Sequence, residues 1–176
     1  MSLTQRDRVR RTAILCCHCL RNIAFYRAGW KRKRFRVQRE FWKNANSGCI
    51  DIAVLEWCKL FTEARGSHHW SKSVPDVPAF RRNLCSRLGM TEPELESYGK
   101  TIKHYRDKFV AHLDEEPTMF IPRLRQARRG VAFLYDFLRE EPSMAGFLPD
   151  ANRSARDLYA FWYQQAFREY LEGSKV

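Results

Sequence analysis

Arg106 and His112 stand six residues apart, and their side chains are of the types that act on a phosphodiester. Imidazole titrates near about pH 6.5, so His112 has both its acid and its base form within reach of neutrality. The Arg106 guanidinium stays protonated and presents a fork of donors that matches phosphate oxygens. RNA brings its own nucleophile, the 2′-hydroxyl. Cleavage then needs a base for that proton, an acid for the leaving oxygen, and positive charge on the developing phosphorane. Charge stabilisation of this kind commonly contributes about 10²–10³ in rate per donor. The scheme calls for no metal and no cofactor. An Arg and a His at this spacing also have an ordinary reading, as a salt-bridging surface residue and a partly buried histidine.

The spacing sets a geometric condition. On an ideal α-helix six residues turn through about 600°, which leaves the two side chains roughly 120° apart. Either the helix distorts near Lys108–Val110, or each site combines groups from two protomers. Phe109 and Val110 read as ordinary helix packing, so the two-protomer arrangement is the expectation.

Other chemistry-bearing clusters are weaker. Cys16 and Cys19 have CxxC spacing with His18 between them, but a structural zinc site needs a second ligand pair, and none follows at suitable spacing. These residues read as a buried helix face. His68 and His69 are either an accessory site or the end of a loop anchored by Trp70. His104 either assists His112 or is an exposed histidine.

Charge is unevenly distributed. Residues 1–43 carry 13 Lys/Arg against two acids, so eleven of the chain's twelve net positive charges lie in its first quarter. Such asymmetry implies contact with a polyanion, or else a solvated basic helix face. The densest run is Lys31-Arg32-Lys33-Arg34-Phe35-Arg36, and Lys31, Arg32, Lys33, Arg34 and Arg36 are the candidate RNA-backbone contacts. Trp30 and Phe35 beside them either stack on bases or are buried.

A length of 176 residues with 44% hydrophobic content suits one domain, divided into a basic N-terminal helix and hinge (1–43), a core carrying the motif (44–141) and a C-terminal helix (152–172). The six cysteines lie within apolar runs, which reads as reduced thiols rather than a disulfide framework. The run Thr12–Leu20 is short, contains a His and lacks a small-residue cleavage pattern, so it is not taken as a signal peptide. No run reaches the roughly 18 apolar residues of a membrane span. A cytoplasmic protein without membrane contact is expected.

The elements that must carry these residues are helical. Proline is absent before Pro75, and apolar residues recur at three-and-four spacing. The pattern predicts helices over about 6–28, ended by Gly29, and 37–64, with Asn44–Gly48 a weak interruption that either breaks the second helix or strains it. A short helix over 78–88 ends at Gly89. Thr91-Glu92-Pro93-Glu94 then forms a capping box that opens a helix predicted to run to His112. Two more helices are predicted over 122–140 and 153–172. No alternating β pattern of useful length occurs, so the fold class is an all-α bundle of five to six helices.

The segment Tyr105-Arg106-Asp107-Lys108-Phe109-Val110-Ala111-His112-Leu113-Asp114 resembles the signature of the HEPN-domain family, an Arg, a polar residue and then a His after four to six positions, often preceded by Ala. Ile52-Ala53-Val54-Leu55-Glu56-Trp57-Cys58-Lys59-Leu60-Phe61, followed by His69-Trp70, is similar to the family's abortive-infection branch. The resemblance spans roughly residues 20–140. It implies a HEPN-like bundle that dimerises, with the motifs of both protomers near the two-fold axis. It also implies a metal-independent endoribonuclease of a defence or toxin–antitoxin system, with Arg106, Asp107 and His112 in the catalytic site and an antitoxin protein as a partner. Other members have lost activity and bind nucleic acid, a nucleotide or a protein. Asp107 departs from the pattern, where Asn is common. Its charge repels phosphate unless it pairs with an Arg or orients His112.

Overall fold

A computed structural model describes residues 3–110, 120–144 and 146–175. Among them the chain forms six α-helices and one two-stranded hairpin. Helix α1 (Gln5–Ala28) opens on a capping box in which Thr4 and Asp7 satisfy each other's backbone amides. It is the central helix and packs on α2 (Glu40–Phe61), α5 (Arg125–Glu140) and α6 (Ala155–Gly173). Its buried stripe is Val9, Cys16, Cys19, Leu20 and Ile23, all fully excluded from solvent. The CxxC pair therefore lies in the core, where the Cys19 thiol donates to the Ala53 carbonyl and burial pushes both thiols well above their ordinary range.

Helix α2 is continuous through Asn44–Gly48, so that polar stretch is no break. Asn46 lies on the same stripe as Ile50, Ala53, Val54 and Trp57 and is 3% exposed. The run singled out by resemblance, Ile52–Phe61, is largely core: Trp57 stacks on Phe61 at 5.1 Å and meets the edge of Tyr98 at 5.6 Å. Helix α3 (Val77–Leu88) is capped by Asp76 and stopped by Gly89, whose φ of +66° is the left-handed conformation that favours glycine. Helix α4 (Glu92–Tyr105) opens on the expected Thr91/Glu94 capping box.

Two expectations need correction. Trp30–Phe35 is a β-hairpin, not an irregular hinge: β1 (Trp30–Lys31) pairs antiparallel with β2 (Arg34–Phe35), Trp30 opposite Phe35. And α4 does not continue as a regular helix to His112. It ends at Tyr105 and passes into a π turn over Arg106–Val110. The helix does distort at the motif, although Phe109 and Val110 pack against the core as ordinary helical residues do. His112 lies outside the described residues. No helix among the described residues is long and apolar enough to cross a membrane.

Candidate functional site

The hairpin is built on a close approach. Gly29 caps α1 with an ordinary helical φ of −68°, so left-handed freedom is not what requires glycine there. A Cβ would instead lie 2.5 Å from Asn46 Nδ2 and 2.7 Å from the Phe35 ring. The missing side chain lets the hairpin fold back onto α2 and α6. Asn46 then fastens it from below. Its Oδ1 accepts from Trp30 Nε1 at 3.0 Å, and its Nδ2 donates to the Tyr26 carbonyl at 2.9 Å and to Tyr170 Oη at 2.8 Å. Above this root Trp30, Phe35 and Tyr170 make edge contacts at 5.4 and 5.8 Å. Trp30 remains 37% exposed and Phe35 is half-buried.

The hairpin tip is cationic and strained. Lys31, Arg32, Lys33 and Arg34 are all exposed. Arg32 and Lys33 are the two loop residues, with φ of 46° and 69°, the positive values of a type I′ turn. Such turns favour Asn-Gly, and a non-glycine residue held in this region costs of order 1–2 kcal/mol. Four adjacent charges are thus held at one apex with no ion pair among them or with any described residue. Arg36 differs. It is half-buried, its Nε donates to the Ala28 carbonyl at 2.9 Å, and its guanidinium lies over the Phe167 ring at 4.6 Å from the centroid.

The motif begins beside the hairpin root. A cavity of about 270 Å³ is bounded by Tyr26, Trp30 and Phe35 on one side and by Ile50, Tyr105 and Ile121 on others. Tyr105 is 2% exposed and its hydroxyl donates to Asp51 Oδ1 at 2.9 Å. Burial, and then the neighbouring carboxylate, raise the tyrosine well above its ordinary value. Burial also raises Asp51, and the Tyr105 hydrogen bond only partly opposes it.

Arg106 points the other way along α2. Its guanidinium pairs with Glu63, just beyond the end of α2, and with Asp107 Oδ1, to which Nε and Nη2 donate at 2.8 and 2.7 Å. Asp107 Oδ2 also faces Lys103 Nζ at 3.8 Å. The Arg106 side chain is 15% exposed. Desolvation works against its charge, but Asp107 and Glu63 outweigh it and keep Arg106 above its ordinary value. The charge on Asp107 is therefore absorbed by Arg106 and Lys103. The arginine is in turn occupied by two carboxylates in this arrangement, and a phosphate must displace at least one of them.

No family model, curated protein or solved structure matches the chain. What is described of the site thus rests on its own geometry. Arg106 and Asp107 are in direct contact; Lys31, Arg32, Lys33 and Arg34 cluster on the hairpin; Arg36 faces α6 instead. His69 is 6% exposed and caps a short 3-10 turn (Trp70–Lys72), its Nδ1 accepting from the Ser71 amide, while Trp70 is a core residue. The loop-anchor reading of this pair is the one the structure carries. Sequence reasoning missed Asn46, Asp51 and Glu63. Asn46 had a signal, a polar residue four before Ile50 on the apolar stripe. Asp51 and Glu63 had none, because their partners lie more than forty residues away.

Proposed function

We propose that this chain is an RNA-binding helical module that grips the RNA backbone with the hairpin apex Lys31–Arg34. The supporting observation is the cavity that joins the hairpin root, Trp30 and Phe35, to Tyr105 at the head of the motif. The cavity brings the hairpin root next to Tyr105, the first residue of the motif, so RNA held at the apex lies near the start of that segment. The six cysteines are free and four of them are buried, which suits a cytoplasmic setting. Binding should weaken linearly in log–log salt titration, with a slope of about −0.7 per phosphate contacted in single strands. Replacing Lys31, Arg32, Lys33 and Arg34 together by Ser should flatten that slope by about 3. A wild-type protein that retains no RNA at low salt overturns the reading.

Metal-independent cleavage is the second reading, and the π turn at Arg106–Val110 favours it. Such turns recur at functional sites because they re-aim side chains that a regular helix misplaces. In this reading the protein is a HEPN-type endoribonuclease of a defence or toxin–antitoxin system. Arg106 exchanges Glu63 for the scissile phosphate, Asp107 holds the guanidinium, and His112 moves the proton, with a second protomer completing the site. Purified protein should then cleave RNA in EDTA and leave 2′,3′-cyclic phosphate ends. Cleavage that survives unchanged in His112→Ala rejects this chemistry, and binding without any turnover leaves the chain a non-catalytic module.

A further inference from the structure

Helix α6 carries an aromatic ladder at helical spacing. Tyr159, Tyr163 and Phe167 lie one turn apart, with ring centroids 6.3 and 6.2 Å apart and planes only 22° and 13° from parallel. All three are half-buried, so each keeps part of its ring in contact with solvent. An arginine sits on each end. Arg36 from the hairpin lies over Phe167 at 4.6 Å, and Arg128 from α5 lies over Tyr159 at 4.7 Å. The Arg128 side chain makes no hydrogen bond among the described residues, and its Nε is buried without a partner. Among the described residues the Arg36 guanidinium bonds through Nε alone, to the Ala28 carbonyl.

The ladder joins two basic clefts. At its Phe167 end, a cleft of about 620 Å³ is bounded by Lys31, Arg32, Arg34 and Arg36 on the hairpin and by Leu171 and Ser174 at the end of α6. At its Tyr159 end, a cleft of about 790 Å³ is lined by Arg87, Arg128, Arg129 and Arg156. Asp136, Glu140 and Glu141 also line it, and Arg139 lies against the first two of them. The parallel rings thus carry a guanidinium at each end whose terminal nitrogens make no hydrogen bond among the described residues. That combination, π-faces in a row between clusters of positive charge, is how single strands are held: phosphates follow the cations and bases stack on the rings.

We infer that Tyr159, Tyr163 and Phe167, with Arg36 and Arg128 at the ends, form a stacking track for single-stranded RNA that leads from the hairpin along α6. The inference rests on the RNA-binding reading and adds to it a strand type and a path. The three rings span eight residues of helix, about 12 Å. That is the length of roughly three to four nucleotides at ~3.4 Å each along a stacked strand. A duplex hides its base faces, so the track discriminates against it.

The test compares a 12-nucleotide oligouridylate with the same strand annealed to oligoadenylate, each titrated against the full chain across a salt series. Wild type should bind the single strand more tightly. Tyr163→Leu with Phe167→Leu keeps apolar bulk but removes two π-faces. It should weaken single-strand binding by about tenfold or more while leaving duplex affinity and the salt slope unchanged. Tyr163→Phe, which keeps the ring and the fold, should bind as wild type does, whereas Tyr163→Leu alone should lose several-fold. Wild-type single-strand affinity in a folded Tyr163→Leu variant, or equal loss for strand and duplex, overturns the track and leaves the hairpin grip standing. Absence of any RNA binding by wild type overturns both.

Discussion

Arg106 and Glu63 form an ion pair that ties the head of the π turn to the end of α2, across more than forty residues of sequence. One residue earlier, Tyr105 reaches Asp51 within α2. Two consecutive side chains thus straddle the C-terminal half of α2, roughly 18 Å at 1.5 Å per residue. They fix where the motif leaves α4. Arg106→Ala strands Glu63 and Asp107 beside each other and should cost about 1–3 kcal/mol in urea unfolding. Glu63→Gln should cost less than about 1 kcal/mol, because Glu63 is 41% exposed and Asp107 still holds the arginine. The functional signs differ. Freeing Arg106 from Glu63 should tighten RNA binding or speed cleavage, and Arg106→Ala should weaken both. Unchanged RNA affinity in both variants assigns Arg106 to the fold alone.

The hairpin apex sets stability against charge. Arg32 and Lys33 occupy backbone that Asn and Gly adopt at lower cost. Arg32→Asn with Lys33→Gly should therefore stabilise the protein by about 1 kcal/mol, read as a higher melting temperature. The same change removes two phosphate contacts and should reduce the magnitude of the single-strand salt slope by about 1.4. A double variant that is more stable and binds RNA with the wild-type slope shows that these two cations do not touch the backbone.

Local signals in the sequence specify the parts of the structure that are themselves local. Thr91 and Glu94 mark the start of α4, Gly89 the end of α3, and the apolar periodicity marks the six-helix architecture. The hairpin was not legible, because strands of two residues show no alternation and its loop lacks the Asn-Gly that announces a type I′ turn. Gly29 stops α1 as its place in the sequence implies, but it is close contact with Asn46 and Phe35 that demands glycine there. The π turn was posed by the Arg106–His112 spacing as one of two solutions. Choosing it required knowing that Asp51 and Glu63 anchor Tyr105 and Arg106, and nothing local in the sequence encodes that pairing.

Asn46 is the structural dependency of the RNA grip. Asn46→Ala leaves the Tyr170 hydroxyl without its partner inside the fold and the Tyr26 carbonyl with only the Gly29 amide at 3.3 Å, and should cost about 1–3 kcal/mol. Trp30 is partly exposed and recovers water, so the root loosens rather than collapses. Trypsin should then cut at Lys31–Arg34 faster than in wild type, well below the melting temperature. Asn46→Asp keeps the acceptor for Trp30 but replaces the donor with charge facing a carbonyl, so it should be at least as destabilising at neutral pH. Wild-type proteolysis in Asn46→Ala removes Asn46 from the support of the hairpin.

Acid sensitivity should originate in the loop before α3. Burial, partly opposed by a hydrogen bond to the Phe61 backbone, holds His69 below its ordinary value of 6.5. Burial also lowers His68, which is only half-buried and so contributes less. The neutral His69 ring accepts from the Ser71 amide through Nδ1. Protonation there converts the acceptor into a donor and removes the cap of the 3-10 turn. A folded value below the unfolded one means that the unfolded chain binds the proton more readily. The stabilisation is therefore complete above about pH 6.5 and is lost as pH falls through the lower, folded value. The loss is at most about 1.4 kcal/mol for each unit by which the folded value is depressed. His69→Asn keeps an acceptor for the Ser71 amide without a titration in this range. Its melting temperature should fall less between pH 7 and pH 5 than that of wild type, and an identical fall in both proteins places the acid-sensitive group elsewhere.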